Sequence, residues 1–119
     1  MNVLAKIPPD LAQASDLPWE LERRLARLNE RYVQCLDAKR LEDWPRFFVE
    51  DGVYRIYPRE NLEAGLPACL LYLDGHRMMR DRVLCLREVI LYSDHAVRHF
   101  LGAPTFQQSA DGEYAVTTN

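Results

Sequence analysis

Glycine is scarce in this chain: five in 119 residues, at positions 52, 65, 75, 102 and 112. Their scatter leaves no glycine-rich phosphate loop, and no Gly-x-Ser-x-Gly elbow occurs. Cysteine is scarcer still. Cys35, Cys69 and Cys85 are odd in number and far apart, with no Cys-x-x-Cys pair. That excludes a zinc knuckle and a dithiol redox site, and no cysteine–histidine spacing suits an iron–sulfur centre. Three such thiols in apolar surroundings fit a reduced, cytoplasmic setting. Positive charge is not in excess, since 15 Lys and Arg face 18 Asp and Glu for a net charge of −3. A nucleic-acid binder needs a basic face, so that class is excluded. No apolar run is long enough to span a membrane, and the start Met1–Pro9 does not read as a secretory signal.

What the chain does have is aromatic density. Trp44, Phe47 and Phe48 fall within five residues, and each can bury roughly 150–250 Å². This cluster is the expected centre of the core. With 48% hydrophobic and 28% charged residues, the composition is that of a folded globular protein. Residues 1–15 read as a flexible arm, because Pro8-Pro9 blocks a helix there. Residues 16–119 read as one domain.

Asp16 is a candidate N-cap, with Pro18 in the first turn. Leu21, Leu25, Leu28, Tyr32 and Leu36 then recur at helical spacing, which predicts a helix to about Lys39. A second, shorter helix is predicted over Leu41 to Val49. The Asp51-Gly52 pair signals a turn into a first strand, Val53 to Tyr57, closed by Pro58. Arg59 to Pro67 reads as a loop, and Cys69 to Leu73 as a buried strand antiparallel to the first. Asp74 can cap the next helix, whose face carries Met79, Val83, Leu86 and Ile90 and which ends at Ser93-Asp94. Ala96 to Leu101 and Thr105 to Gln107 read as one strand bent at Gly102-Ala103-Pro104. Asp111-Gly112 is a turn before a last strand from Tyr114. Helices first and sheet afterwards is an α+β pattern.

Two histidines and a carboxylate, Asp94, His95 and His99, have the composition of a facial iron triad. In the predicted strand the two histidines stand roughly 13 Å apart, too far for one ion, so no metal ligands are assigned. His76 lies near a helix start, where a capping or surface role is the ordinary reading. An acid–base site would need a polar group inside a dry pocket, drawn from Asp51, Tyr54, His76, Asp94 and His99. Tyrosines on strands are more often core than catalytic. Arg80-Asp81-Arg82 reads as a subunit contact or a supporting ion-pair network, with a solvated helix face as the alternative.

The text Trp44-Pro45-x-Phe47-Phe48, Tyr54-Arg55-x-x-Pro58-Arg59-Glu60-Asn61 and Gly65-Leu66-Pro67 resembles the small (beta) subunit of aromatic-ring-hydroxylating dioxygenases. The likeness continues through Met78-x-x-Asp81-Arg82-Val83 and Arg98-His99-x-x-Gly102-x-Pro104, and it is nearest the salicylate, terephthalate and benzoate branch. The resemblance implies a nuclear-transport-factor-2-like α+β cone, with helices packed in the mouth of a strongly curved, mostly antiparallel sheet. It implies a structural subunit with no cofactor of its own. The partner would be a large alpha subunit holding a Rieske [2Fe-2S] cluster and a mononuclear iron, in an assembly of three alpha and three beta subunits. A stand-alone isomerase, dehydratase or cyclase of the same fold is the alternative. The family continues for several strands beyond the segment that resembles Tyr114 to Asn119, so the sheet is expected to be incomplete at the C-terminus.

Overall fold

The computed structural model describes residues 17–89, 95–109 and 111–119. The expected N-terminal arm, the Asp16 cap and the helix end at Ser93-Asp94 lie outside them. The described chain groups into two compact units: Tyr32–His99, and the residues up to Arg31 together with Phe100–Asn119.

Helix α1 spans Trp19–Asp37 and runs from the second unit into the first. Its start carries Glu20 and Glu22, acids that complement the positive end of the helix. The inward stripe follows the predicted spacing except at Leu28, which is 46% exposed, while Cys35 is fully buried. The helix ends in a Schellman arrangement. The Arg40 amide donates to the Cys35 carbonyl (3.0 Å) and the Lys39 amide to that of Leu36 (2.9 Å). Lys39 occupies the left-handed position there, at φ 55°, where glycine is usual.

Within Tyr32–His99, the helix expected over Leu41–Val49 is only a 3-10 turn, Trp44–Phe47. Pro45 sits at its start and lacks the N–H a longer helix would use, and Phe48 is already extended. Strand β1, Val53–Ile56, pairs antiparallel with β2, Leu71–Asp74, so that Tyr54 faces Leu73 and Ile56 faces Leu71. Between them the expected loop contains a short helix, α2, Arg59–Glu63. Pro58 pre-sets its entry, and its carbonyl accepts the Leu62 amide at 3.1 Å. Helix α3 covers Gly75–Glu88 and buries Met79 and Val83.

Asp74 stands at the N-cap of α3 but makes no side-chain cap. The helix start is satisfied from elsewhere. The amide of Gly75 donates to the Gly52 carbonyl and that of His76 to the Glu50 carbonyl, both at 2.9 Å. Gly75 adopts φ 76°, and a Cβ there would meet the Glu50 carbonyl oxygen at 3.1 Å. Glycine is therefore required by both conformation and space. The turn at Asp51-Gly52 and the start of α3 hold each other.

The core of this unit is Cys35, Trp44, Leu73, Met79 and Val83, with Tyr32, Leu36, Leu41, Phe47, Phe48, Tyr54 and Leu71 packed against it. In the other unit, strands β3 (Thr105–Gln108) and β4 (Tyr114–Thr117) form an antiparallel hairpin with Phe106 opposite Val116. Gly112 turns it at φ 76°. The Gly102 amide reaches the Asn119 carbonyl at 2.7 Å, which carries the pairing past β3. The longer strand expected from Ala96 is not formed: residues 95–104 have no regular structure. Among the described residues the strands make two separate two-stranded sheets rather than one continuous sheet.

Candidate functional site

Five aromatic rings fill the interior of the Tyr32–His99 unit. Trp44 meets Phe48 and Tyr54 edge-on, with centroids 5.4 and 5.1 Å apart. Tyr32 meets Phe47 and Phe48 in the same way, at 5.6 and 6.1 Å. These perpendicular contacts place ring edges against ring faces, as the aromatic quadrupole favours. The polar tips are satisfied inside the cluster, where the Trp44 indole N–H donates to the Tyr32 hydroxyl at 3.0 Å. Burial pushes the Tyr32 phenol above its usual range. This is a packed interior in which Tyr32 stays neutral.

The candidate acid–base residues do not converge on it. Asp51 is exposed in the turn before β1. Tyr54 belongs to the ring cluster. His76 donates from Nε2 to the Phe48 carbonyl at 2.8 Å, so it braces the same turn that its own amide binds. Asp94 lies outside the described residues. Among the described residues no hydrogen bond or ion pair joins any two of Asp51, Tyr54, His76 and His99.

His99 has a partner that local spacing could not reveal, 62 residues away in sequence. Its amide donates to both carboxylate oxygens of Asp37, at 2.9 and 3.2 Å, and its ring Nδ1 lies 2.5 Å from Oδ1. Asp37 ends α1, where the helix dipole disfavours an acid. The His99 hydrogen bonds offset this and hold the Asp37 carboxyl below the usual carboxylate range. With Nδ1 bonded to the carboxylate, Nε2 is the ring's remaining hydrogen-bonding atom. That is the geometry by which a carboxylate orients an imidazole. The ring is 43% exposed, however, and the contact works as a clasp on the chain after α3.

Metal chemistry finds no seat in this arrangement. Among the described residues no group of three or more His, Cys, Asp or Glu comes together. Cys35 is buried and donates its S–H to the Arg40 carbonyl at 3.1 Å, and burial raises its thiol. Iron or cluster ligation therefore does not fit the residues described, and no step is routed through either.

The outer face of α3 is the other distinctive surface. Arg80 and Asp81 are exposed and Arg82 is half-buried. Beside them a groove of about 320 Å³ runs between α3 and the 3-10 turn, lined by Glu42, Pro45, Arg80, Val83, Leu84, Arg87 and Glu88. Arg87 lines it. Its Nε and Nη2 bond both Glu42 oxygens at 2.8 and 2.9 Å, and Nη2 also donates to the Lys39 carbonyl at 2.6 Å. This fork holds the Glu42 carboxyl down at about 2. Spacing alone did not single out Glu42 or Arg87, because the pair joins segments 45 residues apart. No helix among the described residues is long and apolar enough to cross a membrane.

Comparison with known proteins places this architecture. Residues 19–118 match the SnoaL-like domain family. The chain is 40% identical over 92 residues to the anthranilate 1,2-dioxygenase small subunit of Burkholderia cepacia, covering 77% of this chain and 57% of that one. It is 34% identical over 97 residues to subunit beta 1 of the terminal oxygenase component of terephthalate 1,2-dioxygenase from a Comamonas species, covering 82% and 63%. The chain thus spans between 57% and 63% of the length of these curated relatives. A solved structure from Novosphingobium aromaticivorans, assigned as the beta subunit of an aromatic-ring-hydroxylating dioxygenase, superposes with a TM-score of 0.64 at 33% identity. That match covers 82% of this chain and 72% of that one. The expected α+β, nuclear-transport-factor-2-like fold agrees with these matches. The chain belongs to the SnoaL-like domain family, among the beta subunits of aromatic-ring-hydroxylating dioxygenases.

Proposed function

We propose that this chain is the structural beta subunit of a multicomponent Rieske non-haem iron oxygenase that hydroxylates aromatic rings in their degradation. The observation that carries this is the shared sequence and fold with small subunits of anthranilate and terephthalate dioxygenases. The interior supports it, since the space an acid–base site would need holds the rings of Trp44, Phe48 and Tyr54. In this reading the large alpha subunit holds the Rieske [2Fe-2S] cluster and the mononuclear iron. A reductase and NADH deliver electrons to that subunit, and three alpha subunits assemble with three beta subunits. Its free thiols, Cys35, Cys69 and Cys85, suit a cytoplasmic location. Arg80, Asp81 and Arg82 form the proposed subunit contact.

The test is co-expression with a Rieske-type large subunit of the anthranilate or terephthalate class. Co-purification in a defined complex, with ring hydroxylation dependent on both chains, is the expected result. A chain that elutes alone and leaves hydroxylation by the large subunit unchanged overturns the proposal.

A further inference from the structure

Two separate contacts fasten later parts of the chain to the end of α1. In the last turn of α3, Arg87 forks onto both Glu42 oxygens and donates to the Lys39 carbonyl. Beyond α3, His99 places its amide and its ring on Asp37. Residues 87 and 99 therefore both end on the stretch 37–42. All of these residues belong to the Tyr32–His99 unit, of which His99 is the last. The fastening thus fixes where the chain leaves that unit.

What holds these contacts differs from what holds the core. Each contact depends on a carboxylate. Asp37 faces the His99 amide and ring, with the Arg98 charge nearby. Glu42 faces Arg87, and Arg80 and Glu88 line the groove beside it. These hydrogen bonds hold both carboxyls below their usual range. The core has no such dependence. Among the described residues no polar or charged residue is buried. The core's own side-chain bonds come from the Trp44 indole, the Tyr32 hydroxyl and the Cys35 thiol, which acid leaves unchanged. His76, which braces the turn at Phe48, donates from Nε2 whether its ring is neutral or charged.

A proton taken up by Asp37 acts in opposite ways on the helix and on the contact. It removes a negative charge from the C-terminal end of α1, where the helix dipole disfavours one. It also removes the charged acceptor of the His99 amide and ring. The helix is relieved and the contact is weakened. At Glu42 the Arg87 fork loses its charged acceptor, while Met79 and Val83 still seat α3 in the core.

We infer that Asp37 and Glu42 form an acid-released fastening: on acidification the end of α1 lets go of His99 and Arg87 while the interior around Trp44 stays closed. This is a local opening rather than unfolding. It belongs to this chain alone and stands independently of the oxygenase reading.

Three N–H groups of the isotope-labelled chain report the two contacts and the core in one nuclear magnetic resonance titration from neutral pH into the acid range. They are the Arg87 Nε–H, the His99 amide and the Trp44 indole N–H. The first two are expected to leave their native positions at higher pH than the third. The backbone order parameter at His99 should fall from about 0.85 to below about 0.6 while the Trp44 signal is still native. The double variant Asp37→Ala with Glu42→Ala should show the loosened His99 at neutral pH, with the Trp44 indole in its parent position. A Trp44 signal that moves together with, or ahead of, either contact overturns the inference. So does a His99 order parameter that stays near about 0.85 through the titration. A double variant whose Trp44 signal is lost at neutral pH also overturns it, because the core would then depend on the fastening.

Discussion

The two tryptophans of the chain stand in its two compact units and end in opposite environments. Trp44 is 6% exposed, held edge-on by Phe48 and Tyr54 and bonded to Tyr32. Trp19 is 63% exposed and touches the Arg23 guanidinium, 5.5 Å from its ring centre. The same contrast runs through their surroundings. Cys35, Trp44, Leu73, Met79 and Val83 are all buried and all lie in Tyr32–His99. In the other unit Phe100 is 88% exposed, and Leu17 is the only buried hydrophobic among the described residues. An aromatic residue becomes a core residue when other elements converge on it. Around Trp44, a helix, a 3-10 turn and a strand do so, whereas the β3–β4 hairpin is a single ladder. Stability measured on this chain should therefore report chiefly on Tyr32–His99.

The most direct way to break this contrast is to substitute the tryptophan of each unit, Trp44 and Trp19. Trp44→Ala empties the ring cluster and removes the indole N–H from the Tyr32 hydroxyl, and should cost about 3–5 kcal/mol by denaturant titration. A midpoint unchanged from the parent would show that the cluster is not the stabilising core. Next in size is Gly75→Ala. It forces a Cβ into the left-handed region and against the Glu50 carbonyl, at a cost of roughly 1–3 kcal/mol. If its midpoint equals that of the parent, the union between the α3 start and the Asp51-Gly52 turn is dispensable.

A smaller effect sharpens the contrast through pH. The Glu42 carboxyl is lowered from about 4.5 to about 2 by its Arg87 hydrogen bonds, and Asp37 is lowered by those of His99. Both folded-state values are depressed. Each contribution is therefore present above the ordinary carboxylate range and is lost as pH falls through the folded value. For Glu42 that window runs from about 4.5 down to about 2. Urea midpoints should fall across it in the parent and less steeply in Glu42→Gln, and parallel curves would remove the pair from the account. Smallest of all is Trp19→Ala, which should stay within about 0.5 kcal/mol of the parent. A loss matching that of Trp44→Ala would mean that the exposed tryptophan is covered in solution.

How far these features could be read in advance depended on the range over which they are determined. Met79 and Val83 on one face of α3 followed from spacing, and β1 with β2 from β-branched and aromatic runs ending in turn residues. Both depend on neighbours a few positions away. The short helix α2 was hidden because its prolines and glycine read as loop punctuation, yet Pro58 is a helix-starting residue in this setting. Leu28 keeps the period of α1 but is exposed, since a period identifies a stripe and not which of its members a partner covers. The bonds of His99 to Asp37 and of Arg87 to Glu42 join segments 62 and 45 residues apart. Nothing local to either partner marks such a bond. His76 was correctly placed at a helix start, but its acceptor is a carbonyl 28 residues earlier.

The seat of α3 on the turn before β1 also bears on solvent exchange. The amides of Gly75 and His76 end on the carbonyls of Gly52 and Glu50, and the His76 ring ends on that of Phe48. First-turn amides of a helix lack partners within the helix and ordinarily exchange their hydrogens with water readily. These two can do so only when the Phe48–Gly52 segment lifts away, which also disturbs Phe48 against Trp44. Their deuterium uptake is thus a built-in gauge of how often the aromatic interior opens, readable at two backbone positions without altering a single side chain.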